Sequence, residues 1–220
     1  MTIDKIEKRV GTVRDREIRQ TLHAKVLRKF HADPRTRVFD EFGLCTGLTR
    51  VDVAVVNGAL HGFEIKSDQD NLSRLPSQVC LYSKVLDFST LVVGESHLDA
   101  ARSLLPRWWG VIVVTCSKNN TPILKWERRS CHNPSLDPLS VAQLLWRREA
   151  LLILEAHSLS KGLRAKPRNV LWEILAREIK LNELCWLVRQ AIKNRGEWRD
   201  EESSFVTPRG VENLQILAQI

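Results

Sequence analysis

The chain has 220 residues, 43% of them hydrophobic and 27% charged, an ordinary globular composition that excludes global disorder. Thirty-four Lys and Arg against 26 Asp and Glu leave a formal charge of +8. This excess is shared equally between residues 1–120 and 121–220 rather than gathered on a tail, and it favours polyanionic partners. No apolar run approaches the roughly 18 residues that span a bilayer, and Met1–Lys8 lacks the apolar core of a signal peptide. The expected location is therefore the cytoplasm, with no membrane partner.

In chain order, Ile18, Leu22, Val26, Leu27 and Phe30 recur at helical spacing and predict a helix over 15–31, with Asp15 as its N-cap and Asp33-Pro34 as its stop. Residues 37–44 and 51–56 read as strands. Asn57-Gly58 signals a hairpin, and 60–66 is the returning strand. A helix over 71–87 places Leu72, Leu75, Val79, Tyr82 and Leu86 on one face, and Pro76 must sit in its first turn or kink it. Strands at 90–93, 110–115 and 122–127 and a helix at 96–105 complete a mixed α/β sheet flanked by helices. Beyond about 130 the pattern changes to long amphipathic helices, 139–157 and 170–193, joined by the basic loop 161–168. The expected division is a core over 1–130 and a helical C-terminal extension over 131–220, packed on or beside it. Five cysteines form no CxxC and no zinc-ligand spacing, and read as reduced thiols.

The hairpin carries the chemistry. Alternation puts Val51, Val53 and Val55 on one face of its first strand and Asp52, Ala54 and Val56 on the other. A two-residue turn at Asn57-Gly58 would mix apolar and charged groups on both faces. A three-residue loop, Asn57–Ala59, pairs Val53 with Phe63 and Asp52 with Glu64, which gives one apolar face; buried faces strongly specify register, so this pairing is expected. Two facing carboxylates repel unless a cation lies between them. Mg²⁺ is commonly held by one or two carboxylates with water and phosphate, and Lys66 on the same face suits a developing phosphorane charge. A plain solvated strand face would carry the same residue types.

Asp52, a dozen residues, then Glu64-Ile65-Lys66, on a hairpin preceded by a helix and strand, resembles the PD-(D/E)xK nuclease superfamily. Val51 stands where many members have Pro. Gln78 and Tyr82, four residues apart on the next helix, resemble the QxxxY element of RecB-like nucleases. The resemblance spans about residues 12–115 and extends, through EIKSDQDNLSRLPSQ and LPRWWG, to uncharacterised bacterial proteins assigned to this fold. It implies a restriction-endonuclease-like αβββαβ core. Asp52, Glu64 and the Ile65 carbonyl would be Mg²⁺ ligands, with Mn²⁺ substituting. Glu41 would be a further acid, with Glu17 as its rival. Lys66 would be the catalytic lysine, and Gln78 and Tyr82 would order the site. Each of Asp52→Ala, Glu64→Ala and Lys66→Ala would then abolish cleavage while leaving the fold intact.

Arg50, Arg74, Lys84 and the loop residues Lys161, Arg164, Lys166 and Arg168 are candidate phosphate contacts, as is the stretch from Arg189 to Arg199. Solvated surface is the bland reading of each. Trp108-Trp109 reads as a packed rim rather than a stacking platform. The absence of GxxxxGK[ST], HExxH and GxSxG gives ATP-driven translocation, zinc proteolysis and serine hydrolysis no support. The expected function is Mg²⁺-dependent hydrolysis of nucleic acid, DNA before RNA, in bacterial repair or defence. The chain would act as a homodimer or with a partner protein if not alone. The alternative is a nuclease-fold DNA-binding or adaptor protein without activity.

Overall fold

The computed structural model describes residues 14–119 and 121–195. Helix α1 (Asp15–Thr21) runs through a π-helical segment (Leu22–Val26) into α2 (Arg28–His31). Strands β1 (Arg37–Leu44), β2 (Thr49–Val56) and β3 (Leu60–Lys66) follow, then α3 (Leu75–Tyr82), β4 (Phe88–Gly94), α4 (Leu98–Leu104), β5 (Gly110–Cys116) and β6 (Pro122–Arg128). The six strands form one mixed sheet in sequence order. β3, β4 and β5 are parallel, and the other neighbours are antiparallel.

The sheet buries both faces. Ile18, Leu22 and Leu27 pack against Val53, Val55, Phe63, Ile65 and Val92 on one side. On the other side Ala54, Val56, Leu60, Leu91 and Val93 belong to a larger core with the remaining helices. That core runs without a break into α5 (Pro138–Ala142), α6 (Arg147–Ala156), α7 (Arg168–Glu178) and α8 (Leu181–Lys193). The described part of the C-terminal extension therefore shares the apolar core of the sheet. Its remainder, including Trp198 and Arg199, lies outside the described residues.

Three local expectations need correction. The helix expected over 71–87 is only Leu75–Tyr82, which starts late enough to put Pro76 in its first turn rather than at a kink. Each long C-terminal helix is two. The first breaks at 143–146, where Trp146 turns extended and donates its N–H to the Glu149 carboxylate. The second breaks at extended Ile179 and Lys180, where Ile179 is buried. Neither break carries a Gly or Pro, so periodicity ran through both. Arg14, not Asp15, occupies the N-cap of α1.

Candidate functional site

The hairpin register is the expected one as far as Val53, and the expected Asp52–Glu64 pair is not part of the ladder. Val53 pairs with Phe63 and Val56 with Leu60, which leaves Asn57–Ala59 as a three-residue loop closed by the Asn57 N–H to the Ala59 carbonyl. Beyond Val53 the Asp52 carboxylate itself takes the Ile65 N–H, at 2.7 Å.

The face pattern differs from strict alternation at one place. β1 and β2 pair from Arg37↔Val56 to Asp40↔Val53 and again from Phe42↔Val51 to Leu44↔Thr49, with Glu41 and Asp52 outside the pairing. Glu41 has a left-handed backbone (φ 54), uncommon for a residue with a side chain. Across this interruption both strands change face. Val51 joins the core of Ala54 and Val56 instead of that of Val53 and Val55, and Phe42 follows Phe39 to the same side. Two acidic residues are thus expelled from the ladder side by side.

Arg19 of α1 sits over them. Its guanidinium donates to the Asp52 carbonyl (2.8 Å) and contacts Asp52 Oδ1 (3.2 Å), and one of its nitrogens lies 2.7 Å from Glu41 Oε1. Burial opposes its charge, yet Asp52, Asp15 and Glu41 together hold it more firmly protonated than usual. Arg19 was not anticipated. Its only sequence signal was Asp15 four residues earlier, which reads as a surface pair.

Glu64 is 2% exposed and wholly occupied by donors. Lys66 Nζ and Gln78 Nε2 each lie 2.5 Å from its Oε1. The Tyr82 hydroxyl, 2.5 Å from Oε2, is shared with the Arg50 carbonyl. Gln78 and Tyr82 reach the same carboxylate because they are one helical turn apart on α3. Tyr82 is braced from behind by Trp109, stacked 5.8 Å away and fully buried, and its hydroxyl is pushed above the usual phenol range by burial and by Glu64. Tyr82→Phe removes one donor from a buried carboxylate. It is expected to cost about 1–3 kcal/mol in chemical denaturation.

Asp52 is pushed up to about 7, first by burial and then by Glu64, against the pull of the Ile65 amide, Arg19 and Lys66. A buried carboxylate, Glu64, and a half-buried one, Asp52, thus lie within electrostatic reach of each other. Among the described residues no group of three or more His, Cys, Asp or Glu side chains is arranged to hold a metal ion. The set Asp52, Glu64 and Glu41 is thus not gathered as one ligand shell. Glu41 turns toward Arg19 and Arg50, and what Ile65 gives the site here is its amide. The Asp52–Glu64 pair nevertheless fits a hard divalent ion by donor chemistry, since Mg²⁺ takes one or two carboxylates and completes its shell with water and phosphate. Its like-charge strain and the Gln78 Oε1, buried without a partner among the described residues, favour added positive charge.

Glu17 is corrected. It lies exposed on α1 and accepts the Arg14 N–H, capping its own helix. Asp68 accepts the N–H and hydroxyl of Ser96, and Asp70 those of Ser67. Arg50, Arg74, Lys84, Lys161, Arg164, Lys166 and Arg168 are all exposed. Arg50 adjoins this site through Glu41, and Arg74 caps the helix that carries Gln78, whose N–H its carbonyl accepts.

Fold and site together define a mixed α/β protein whose six-stranded sheet buries an acid–lysine–glutamine–tyrosine cluster at one strand junction. The chain belongs to the family of bacteriophage P4 protein cII, whose model matches residues 8–218. Protein cII of enterobacteria phage P4 is 25% identical over 183 residues, which are 83% of this chain and 68% of that protein. Among solved structures, the SPO1766 protein of unknown function from Silicibacter pomeroyi aligns with a TM-score of 0.38 and 21% identity, over 66% of this chain and 94% of that one. Among the described residues no helix is long and apolar enough to cross a membrane.

Proposed function

We propose that this chain is a phosphodiester hydrolase of the PD-(D/E)xK type with a restriction-endonuclease-like core, acting on nucleic acid, DNA first, with Mg²⁺ or Mn²⁺. The observation that carries the reading is the convergence of Lys66, Gln78 and Tyr82 on Glu64 beside a strained Asp52. A surface strand face needs no such buried network, and perturbed carboxylates within such networks cluster at functional sites.

Asp52 and Glu64, with the Ile65 carbonyl, would hold the ion. It would supply water activation and charge neutralisation when bound. Gln78 and Tyr82 fix the Glu64 carboxylate in one orientation. Arg19 fixes Asp52 through both its carbonyl and its carboxylate. Lys66, released from Glu64, would face the negative charge that develops on the phosphate oxygens.

One observation favours a second reading. Lys66 and Arg19 already neutralise much of the acidic charge, as in a fold that keeps the residues for structure and binds nucleic acid without cutting it.

The deciding measurement is cleavage of labelled single-stranded and duplex DNA in Mg²⁺, Mn²⁺ and EDTA, with titration calorimetry of each ion into wild type and Asp52→Asn. Metal-dependent cleavage and heat of binding, both lost in the variant, are expected. Neither cleavage nor ion binding in wild type, with or without DNA, would leave the second reading in its place.

A further inference from the structure

Two tryptophans of the C-terminal helices, Trp146 and Trp172, and the last residue of the basic loop, Arg168, take no part in the carboxylate site, yet they meet at one cavity. It has a volume of about 390 Å³, within the range of small-ligand pockets, and its walls include Phe42, Trp146, Arg147, Arg168, Trp172 and Arg195. No described residue lining it is acidic.

Trp146 is the unusual member, because 45% of it is exposed. Its ring is not loose. The Arg195 guanidinium lies 4.3 Å from the ring centre and is itself pinned by Glu149 (2.6 and 2.7 Å) and by the Leu144 carbonyl (2.7 Å). The same Glu149 accepts the Trp146 N–H at 2.7 Å. One carboxylate therefore fixes both the backbone of the tryptophan and the cation that backs its ring. The result is a rigid indole, supported by a cation on one face. A ring both exposed and held in place in this way lets a planar aromatic ligand stack on it with little ordering cost.

The rim supplies the complementary charge. Arg147 and Arg168 are the first residues of α6 and α7, so the positive ends of two full helices face the same opening. Arg147 also donates to the Arg164 and Lys166 carbonyls, which holds the basic loop Lys161–Arg168 at this edge. Arg168 lies 5.1 Å from the Trp172 ring centre. Phe42 pairs with Val51 and its neighbour Gly43 with Arg50, so this wall lies only one to two residues, roughly 3–7 Å of strand, from Asp52.

We infer that the cavity stacks an unpaired base of single-stranded nucleic acid on Trp146, with the adjoining phosphates on the arginine rim and the strand leading past Arg50 toward Asp52. The inference rests on the nucleic-acid reading above and names the form of the substrate. A duplex presents base edges, not faces, and cannot use such a platform unless a base leaves the stack.

The test is fluorescence anisotropy in EDTA, where no cleavage occurs, with a labelled twelve-residue oligothymidylate, its duplex with oligoadenylate, and a twelve-residue abasic strand. Wild type is expected to bind the single strand at least tenfold more tightly than the abasic strand, and more tightly than the duplex. Trp146→Ala is expected to lose about tenfold on the single strand and to leave the abasic strand unchanged. Trp146→Phe is expected to recover most of the loss, which separates stacking from misfolding. Equal single-strand affinity in wild type and Trp146→Ala overturns the inference, as does equal affinity of wild type for the thymidylate and abasic strands, or no binding of any strand. Because the assay involves neither metal nor chemistry, failure of the cleavage reading leaves its outcome intact.

Discussion

Glu64→Ala is expected to destabilise the protein by about 3–5 kcal/mol, in addition to ending any cleavage. Glu64 is the common acceptor for three donors in a buried pocket, and its removal leaves the Lys66 ammonium, 5% exposed, without its counter-charge. Breaking one side of a buried pair costs far more than the pair contributes, because the stranded charge must deprotonate or draw in water. The expectation that alanine here leaves the fold intact is therefore withdrawn for this position. The double variant Glu64→Gln/Lys66→Met removes both charges and keeps the volume, and should recover most of the loss. Denaturant unfolding of Glu64→Ala and of the double variant measures this. A cost below about 1 kcal/mol for Glu64→Ala would refute the buried-network description.

The second large effect has the opposite sign. In the fold Asp52 titrates near 7 rather than at its ordinary 3.8, so the folded state holds a proton that the unfolded chain has released over that interval. Stability from this group is present in full below about pH 4, declines as pH rises toward 7, and stays low above it. Asp52→Asn removes that decline. The variant should match wild type near pH 4 and exceed it above pH 7, by on the order of a few kcal/mol. The same substitution should abolish metal-dependent cleavage. Thermal unfolding of both proteins between pH 4 and 9, without divalent ions, is the measurement. Parallel profiles would mean that Asp52 is not under strain. Under the proposed function, added Mg²⁺ should raise the wild-type midpoint at pH 8 and leave the variant unmoved.

The sheet was legible in the sequence because its strands have short, decisive patterns. The three-residue loop followed from asking which register keeps Val53, Phe63 and Ile65 on one face; spacing put Gln78 and Tyr82 on one helical face, and only the QxxxY resemblance tied that face to the site. Arg19 was not legible, since its partners Glu41 and Asp52 come from strands 22 and 33 residues away, and a lone arginine on a helix reads as solvated. The face change was hidden for a different reason. Positive φ is usually announced by glycine, and here a glutamate adopts it. The breaks at Trp146 and Ile179 are imposed by packing, which a helical period does not record.

The interruption between β1 and β2 has a consequence for how such a site can be gained or lost. Glu41 and Asp52 are each one residue in excess of a continuous ladder, and they lie opposite one another. Removing either alone leaves two residues facing one and mismatches the ends of the hairpin. Removing both would join Asp40 to Phe42 and Val51 to Val53 in unbroken alternation, with every apolar side chain still on its present side. The acidic pair is in effect a matched insertion: a plain hairpin of the same two cores is two deletions away, and no single deletion reaches it.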